Sequence, residues 1–213
     1  RQSGKTWLLL QVAAAIKQRG DFEVVITTLQ TAKNAETAAE VLDVLVTNLR
    51  NYLQRDFPMI TSWTELRTLF TAPYFERPVI LILDEFDALA PTFINAFVNE
   101  FRSIYTERLN EAGRISAEKS YLLHGLALIG VRNVLGIENV SGSPFNIQRS
   151  LRIPNLTADE VTAMFQWYAQ ESGQAIEPAV IERIFYETQG QPGLIGWLGE
   201  LLTETYNHHG DTI

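Results

Sequence analysis

Two short stretches carry residue types that could do chemistry together. The first is "RQSGKTW" at the start of the chain. Gly4, Lys5 and Thr6 match the end of the pattern G-x-x-x-x-G-K-[ST], whose backbone amides cradle phosphate oxygens. In that pattern glycine lets the backbone approach the anion, the lysine ammonium reaches the β- and γ-phosphates, and the threonine hydroxyl helps to hold Mg²⁺. Gln2, Ser3, Gly4, Lys5, Thr6 and Trp7 are the residues that would bind the phosphates. The first glycine of the pattern falls before Arg1, so an N-terminally truncated loop is expected. Alone, G-K-T is a weak signal, and an ordinary helix start is the competing reading.

The second stretch, "VILILDEFD", is an apolar run closed by Asp84 and Glu85. A carboxylate at the carboxyl end of a central strand lies where α/β sheets bind ligands. Asp84 would hold the magnesium ion and Glu85 would activate the attacking water as general base. Either stretch alone is ambiguous, but a GKT-initiated helix followed by an apolar-DE strand, in that order, points to ATP or ADP with Mg²⁺. A third element, "LIGVRNV", ends a strand in Arg132 and Asn133. Arg132 suits a γ-phosphate contact, since a planar guanidinium matches phosphate oxygens. Asn133 is its rival, and a solvated strand end is the third reading.

These residues need a frame. Leu8, Leu9, Val12, Ala13 and Ile16 recur at helical spacing from about Gly4 to Gln18. "FEVVITTL" reads as a buried strand. Ala38, Val41, Leu42, Leu45, Leu49 and Tyr52 share one face of a helix over Glu36 to Tyr52. Ser62 and Glu65 form a capping-box pair opening a short helix. "RPVILILDEFD" is apolar at consecutive positions, which predicts a central parallel strand buried on both faces. Pro91 fits the first turn of a helix carrying Phe93, Phe97, Phe101, Ile104 and Tyr105, in which the Phe93, Phe97, Phe101 stripe reads as core. "NEAGRISAEKS" reads as a polar loop, and "LHGLALIGV" as another buried strand. Beyond Pro154 only helices follow: Ala158 to Glu171, Pro178 to Thr188 and Gly193 to about Tyr206. Strands alternating with helices, then helices alone, predict an α/β fold. Residues 1–153 would form a P-loop nucleotide-binding core with a parallel sheet flanked by helices, and 154–213 a small all-helical lid.

Composition sets limits. The chain has 213 residues, 46% of them hydrophobic and 20% charged, which suits a buried core rather than disorder. It has no cysteine, so disulfides, thiolate metal sites and cysteine nucleophiles are excluded. No apolar run approaches the roughly 20 residues of a membrane span, and a cytoplasmic location is expected. The net charge of −8 does not indicate nucleic acid as a partner, because dedicated binders carry a basic face.

Taken together, "QSGKT", "LILDEFD", "GVRNV", "SPFNI" before "LRIPNLTADEV", and "YETQGQPGLI" resemble the bacterial AAA-like ATPases of the AAA+/STAND branch of P-loop NTPases. The resemblance spans nearly the whole chain. It implies that Gly190 and Pro192, in the Gly-x-Pro element, lie near the adenine. It implies a regulatory switch domain that binds and hydrolyses ATP, in signalling or defence, with self-association or separate protein modules as partners. Two alternatives stay open: an AAA+ ATPase acting on nucleic acid, whose lids are similar to those of origin-recognition ATPases, and a nucleotide-locked structural adaptor. Arg149 and Arg152 are read either as fingers toward a neighbouring subunit's nucleotide or as local ion pairs. The chain departs from many relatives at Gly193, where they carry a large aromatic. The remaining polar and aromatic residues have blander readings: His124 as packing, His208 and His209 as tail, Arg102 and Arg108 as solvated, Trp7 and Trp197 as core at the domain junction.

Overall fold

A computed structural model describes residues 5–130 and 153–206, with the side chains of residues 5–7 excepted. The first helix, α1 (Lys5–Arg19), is built from strong helix formers, and Lys17 and Arg19 in its last turn favour the C-terminal end of its dipole. Its apolar stripe is not a buried one. Among its described side chains only Ala13 is buried, Leu9 and Ile16 are half-buried, and Leu8 and Val12 are exposed. Propensity rather than packing by the described residues accounts for this helix.

Three strands form one sheet among the described residues: β1 (Glu23–Thr28), β2 (Val79–Asp84) and β3 (Leu123–Leu128), in the order β1-β2-β3 and all parallel. Thr28 pairs with Asp84, and Leu83 with Leu128, so the carboxyl ends of the three strands lie level. The central strand β2 has neighbours on both sides, and Val79, Leu81, Ile82 and Leu83 are all buried, as the consecutive apolar run predicts. β3 differs from expectation. Apart from Leu123 its residues are half-buried or exposed.

Helix α2 (Ala38–Leu53) packs on β1 through Val41, Leu42, Leu45, Val46 and Leu49, while Tyr52 stays exposed. Thr37 caps it by accepting from the Glu40 amide. The Ser62–Glu65 capping box is present, but it opens a 3₁₀ segment, Trp63–Phe70, rather than an α-helix. Its side chains Leu66, Leu69 and Phe70 turn into the core. Helix α3 (Pro91–Asn110) begins with Pro91 in its first turn. Phe97 and Phe101 stack at 5.7 Å, and Trp63 and Phe86 both meet Phe97 edge-on. Tyr105 points to solvent. This aromatic layer fills the space between α3 and the 3₁₀ segment, which is the work the phenylalanine stripe was expected to do.

The chain divides into two compact units, one covering Leu10–Gln148 and one combining Arg1–Leu9 with Arg149–Ile213. In the second, α4 (Ala158–Ser172), α5 (Pro178–Thr188) and α6 (Pro192–Glu200) surround a small core of Val161, Phe165, Ile181, Ile184 and Ile195. α6 continues into a π-helical turn, Leu201–Thr205. Thr157 and Glu160 form a complete capping box at the start of α4.

Candidate functional site

The acidic pair sits where β2 ends. Asp84 is the last residue of the strand and Glu85 the first beyond it, and both side chains are half-buried. The strand stops there because Glu85 adopts a left-handed backbone, φ 51° and ψ 35°, and a single 3₁₀ turn, Phe86–Ala88, follows. Few non-glycine residues adopt this conformation, and it costs energy unless the surroundings hold it. Here several bonds hold it. The Glu85 amide donates to Asp84 Oδ1 at 2.9 Å, and the Ala88 amide donates to the Glu85 carbonyl at 2.9 Å. The Phe86 amide donates to the Ile129 carbonyl beyond β3 at 2.9 Å, while the Phe86 ring is buried in the core.

β1 closes the other flank. The Leu29 amide donates to the Asp84 carbonyl at 3.2 Å. Thr28 lies beside Asp84 in register, and its carbonyl accepts from Asn48 Nδ2 of α2 at 2.8 Å. Asp84 and Glu85 thus present two carboxylates at the carboxyl edge of a parallel sheet, the edge at which such folds bind ligands. Their donor set is hard oxygen. Among the described residues no group of three or more His, Cys, Asp or Glu could hold a metal by itself. One strand-end carboxylate fits Mg²⁺, which is usually held by one or two carboxylates together with water and phosphate oxygens.

Of the residues singled out in the sequence, Gln2, Ser3 and Gly4 lie outside the described residues, as do Arg132, Asn133, Arg149, Arg152, His208 and His209. Lys5, Thr6 and Trp7 are described only as backbone in the first turns of α1. Gly190 and Pro192 belong to the helical unit. Gly190 has φ +74°, and a Cβ built there would lie 1.9 Å from the Leu156 carbonyl oxygen. Its own carbonyl accepts from the Leu156 amide at 2.8 Å, and Asn155 Nδ2 donates to the Gln189 carbonyl at 2.9 Å. Pro192 stands in the first turn of α6, with the Gln191 side chain capping the Leu194 amide. The Gly-x-Pro element therefore has a structural task inside its own unit: it lets the α5–α6 turn touch the segment leading into α4.

Three sequence readings are corrected. Arg108 is buried rather than solvated, because it folds under the α3–β3 connection and donates to the Tyr121 carbonyl and to Ser116 Oγ. Trp197 is 54% exposed rather than core. His124 does more than pack: its Nδ1 lies 2.6 Å from Ser116 Oγ and its ring 4.8 Å from that of Phe22. Two neighbours of the acidic pair gave little signal in the sequence. Thr28 is a strand end without a motif. Gly130 carries no motif of its own within "LIGVRNV", although a Cβ built there would lie 2.8 Å from Asp87 Oδ1.

No protein-family model matches the chain, and no curated protein sequence does. Solved structures do share its fold. The Aeropyrum pernix ORC2 protein, described in ADPNP–ADP complexes, superposes with a TM-score of 0.59 at 17% identity, over 99% of this chain and 55% of its own. A Thermotoga maritima RuvB point mutant aligns at 18% identity and a TM-score of 0.46, over 95% of this chain and 63% of its own. The chain thus spans about half the length of the ORC2 chain. The shared fold is a parallel sheet flanked by helices, followed by a helical unit.

Proposed function

We propose that this chain is the ATP-binding and ATP-hydrolysing domain of an AAA+/STAND-type regulatory switch. The observation that carries the proposal is the acidic pair at the carboxyl end of the central parallel strand, with Glu85 turned out of the strand by a held left-handed backbone. The fold shared with a protein described in ADPNP–ADP complexes supports the nucleotide class.

In this reading residues 1–153 are the nucleotide-binding core and 154–213 the lid. Gln2 through Trp7 bind the phosphates, Lys5 reaching the β- and γ-phosphoryl oxygens. Asp84 and the Thr6 hydroxyl would hold Mg²⁺, whose charge would offset that of the phosphate oxygens. Glu85 accepts a proton from water as the water oxygen bonds to the γ-phosphorus. The bond from that phosphorus to the bridging oxygen breaks, and its electron pair leaves with ADP. Arg132 contacts the γ-phosphate and Gly190 and Pro192 lie near the adenine. A nucleotide can drive a switch only through different affinities for two states, so exchange of ATP for ADP would reset the lid.

Titration calorimetry on the wild type and Lys5→Ala, with phosphate release measured beside it, tests the proposal. The wild type should bind ATP or ADP and Lys5→Ala should not. Glu85→Gln should bind ATP normally and lose turnover by about 10²-fold or more. Wild-type binding without phosphate release would favour the nucleotide-locked adaptor, and DNA-stimulated release the nucleic-acid reading. Binding that ignores Lys5→Ala would overturn the phosphate site, and unchanged turnover in Glu85→Gln the assignment of the base.

A further inference from the structure

The acidic run "DEFD" ends in Asp87, to which the nucleotide reading gives no task. The structure seats its carboxyl group on Gly130, just beyond β3. A Cβ built on Gly130 would lie 2.8 Å from both Cγ and Oδ1 of Asp87 and 3.0 Å from its Cβ. Those separations are well inside the roughly 3.5–4.0 Å of a favourable carbon contact. Only a residue without a side chain leaves room for the Asp87 carboxyl at this point.

The same turn and the same strand exit are joined a second time. The Phe86 amide donates to the Ile129 carbonyl, and the Ile129 amide donates back to the Leu83 carbonyl, each at 2.9 Å. The turn after β2 is therefore bonded to the end of β3 at Phe86, and the Asp87 side chain lies against Gly130 at the same exit. Glu85 stands immediately before these two attachments, in the left-handed conformation. Such a conformation persists where the surroundings over-determine it. Phe86, buried in the core against Phe97, fixes one end of the turn.

We propose that Asp87 is a positioning residue for the hydrolytic step. Its carboxyl, seated on Gly130, docks the turn after β2 on the exit of β3, and this docking holds the Glu85 backbone that aims the base. The inference rests on Glu85 being the general base. It predicts an effect on the chemical step rather than on nucleotide affinity, because neither Asp87 nor Gly130 is assigned to the phosphates. It also predicts that Gly130 and Asp87 act as one unit, since a methyl group at 130 displaces the carboxyl at 87.

Steady-state ATP hydrolysis tests this on the wild type, Glu85→Gln, Asp87→Ala, Asp87→Asn, Gly130→Ala and the double variant Gly130→Ala/Asp87→Ala, with a thermal melt of each. Asp87→Ala and Gly130→Ala should each lower kcat about tenfold to a hundredfold, the scale of a misplaced catalytic group, with KM for ATP within about twofold. Asp87→Asn, which keeps the shape of the side chain, should recover most of what Asp87→Ala loses. The Gly130→Ala loss should shrink in the Asp87→Ala background, because the displaced group is already gone. A kcat within about twofold of wild type in Asp87→Ala, or losses that simply multiply in the double variant, overturns the positioning role. Should Gly130→Ala fail to fold, the Asp87→Ala and Asp87→Asn pair decides by the same criteria. A wild type without turnover overturns both this inference and the proposed hydrolysis. Turnover lost in Glu85→Gln but kept in Asp87→Ala overturns the positioning role alone.

Discussion

At Gly190 two demands fall on one residue. Its φ of +74° is costly for a side-chain-bearing residue, and the space a Cβ needs is taken by the Leu156 carbonyl oxygen at 1.9 Å. Gly173 separates the two demands: it has φ +75° with nothing within 4 Å of a built Cβ. Gly173→Ala should therefore cost about 1–2 kcal/mol, the left-handed penalty alone. Gly190→Ala should cost a further ~1–3 kcal/mol as the backbone shifts to relieve the overlap. Urea denaturation of the two variants checks this, and equal losses would show that the close approach contributes nothing. The sequence singled out Gly190 through its Gly-x-Pro element, but not the overlap, which involves a carbonyl contributed from before α4.

At the scale of elements, the connection between α3 and β3 shows how a polar loop acquires structure. "NEAGRISAEKS" reads as solvated, yet it folds back on itself. Glu111 accepts from the Ser120 amide at 2.8 Å, and Lys119 Nζ donates to the Arg108 carbonyl at 2.6 Å. Arg108 and Lys119 then flank His124. Partial burial of the ring, followed by these two positive charges, holds the imidazole below its ordinary range. The sign follows from linkage. The folded protein resists protonation of His124, while an unfolded histidine takes up a proton near pH 6.5. The loop's contribution is fully present above that value and is lost as pH falls below it. The urea midpoint should drop between pH 7.5 and 5.5, and His124→Gln should remove part of that drop. An unchanged pH dependence in the variant would show that His124 titrates alike in both states.

Across the whole molecule, fold and charge make separate statements. The fold is shared with the ORC2 protein, but a fold does not carry a ligand with it. The chain has 17 Lys and Arg against 25 Asp and Glu, a net charge of −8. Phosphate neutralisation supplies most of the affinity of non-specific DNA binding. The chain should therefore bind duplex DNA no more tightly than the weak end of the non-specific range, roughly 10⁻⁴ M, at physiological salt. Fluorescence anisotropy with a labelled duplex measures this, and micromolar binding would reveal a basic patch that net charge conceals. No described helix is long and apolar enough to cross a membrane.

Sequence alone was sufficient wherever the physics is local. The apolar run before Asp84 became the buried central strand, α5 spans Pro178–Thr188 as read, and Pro91 stands in the first turn of α3. A strand's period, a cap and a proline each act within a few residues, so a single stretch contains the whole cause. The acidic pair was legible for the same reason: "DEFD" follows its strand directly. Tertiary structure decided what depends on distant neighbours. The burial of Arg108 follows from a loop that folds over it. The left-handed turn at Glu85 and the seat of Asp87 on Gly130 exist because β2 and β3 end side by side. Each unites residues some forty positions apart, a distance at which no spacing rule operates and only the assembled sheet brings them together.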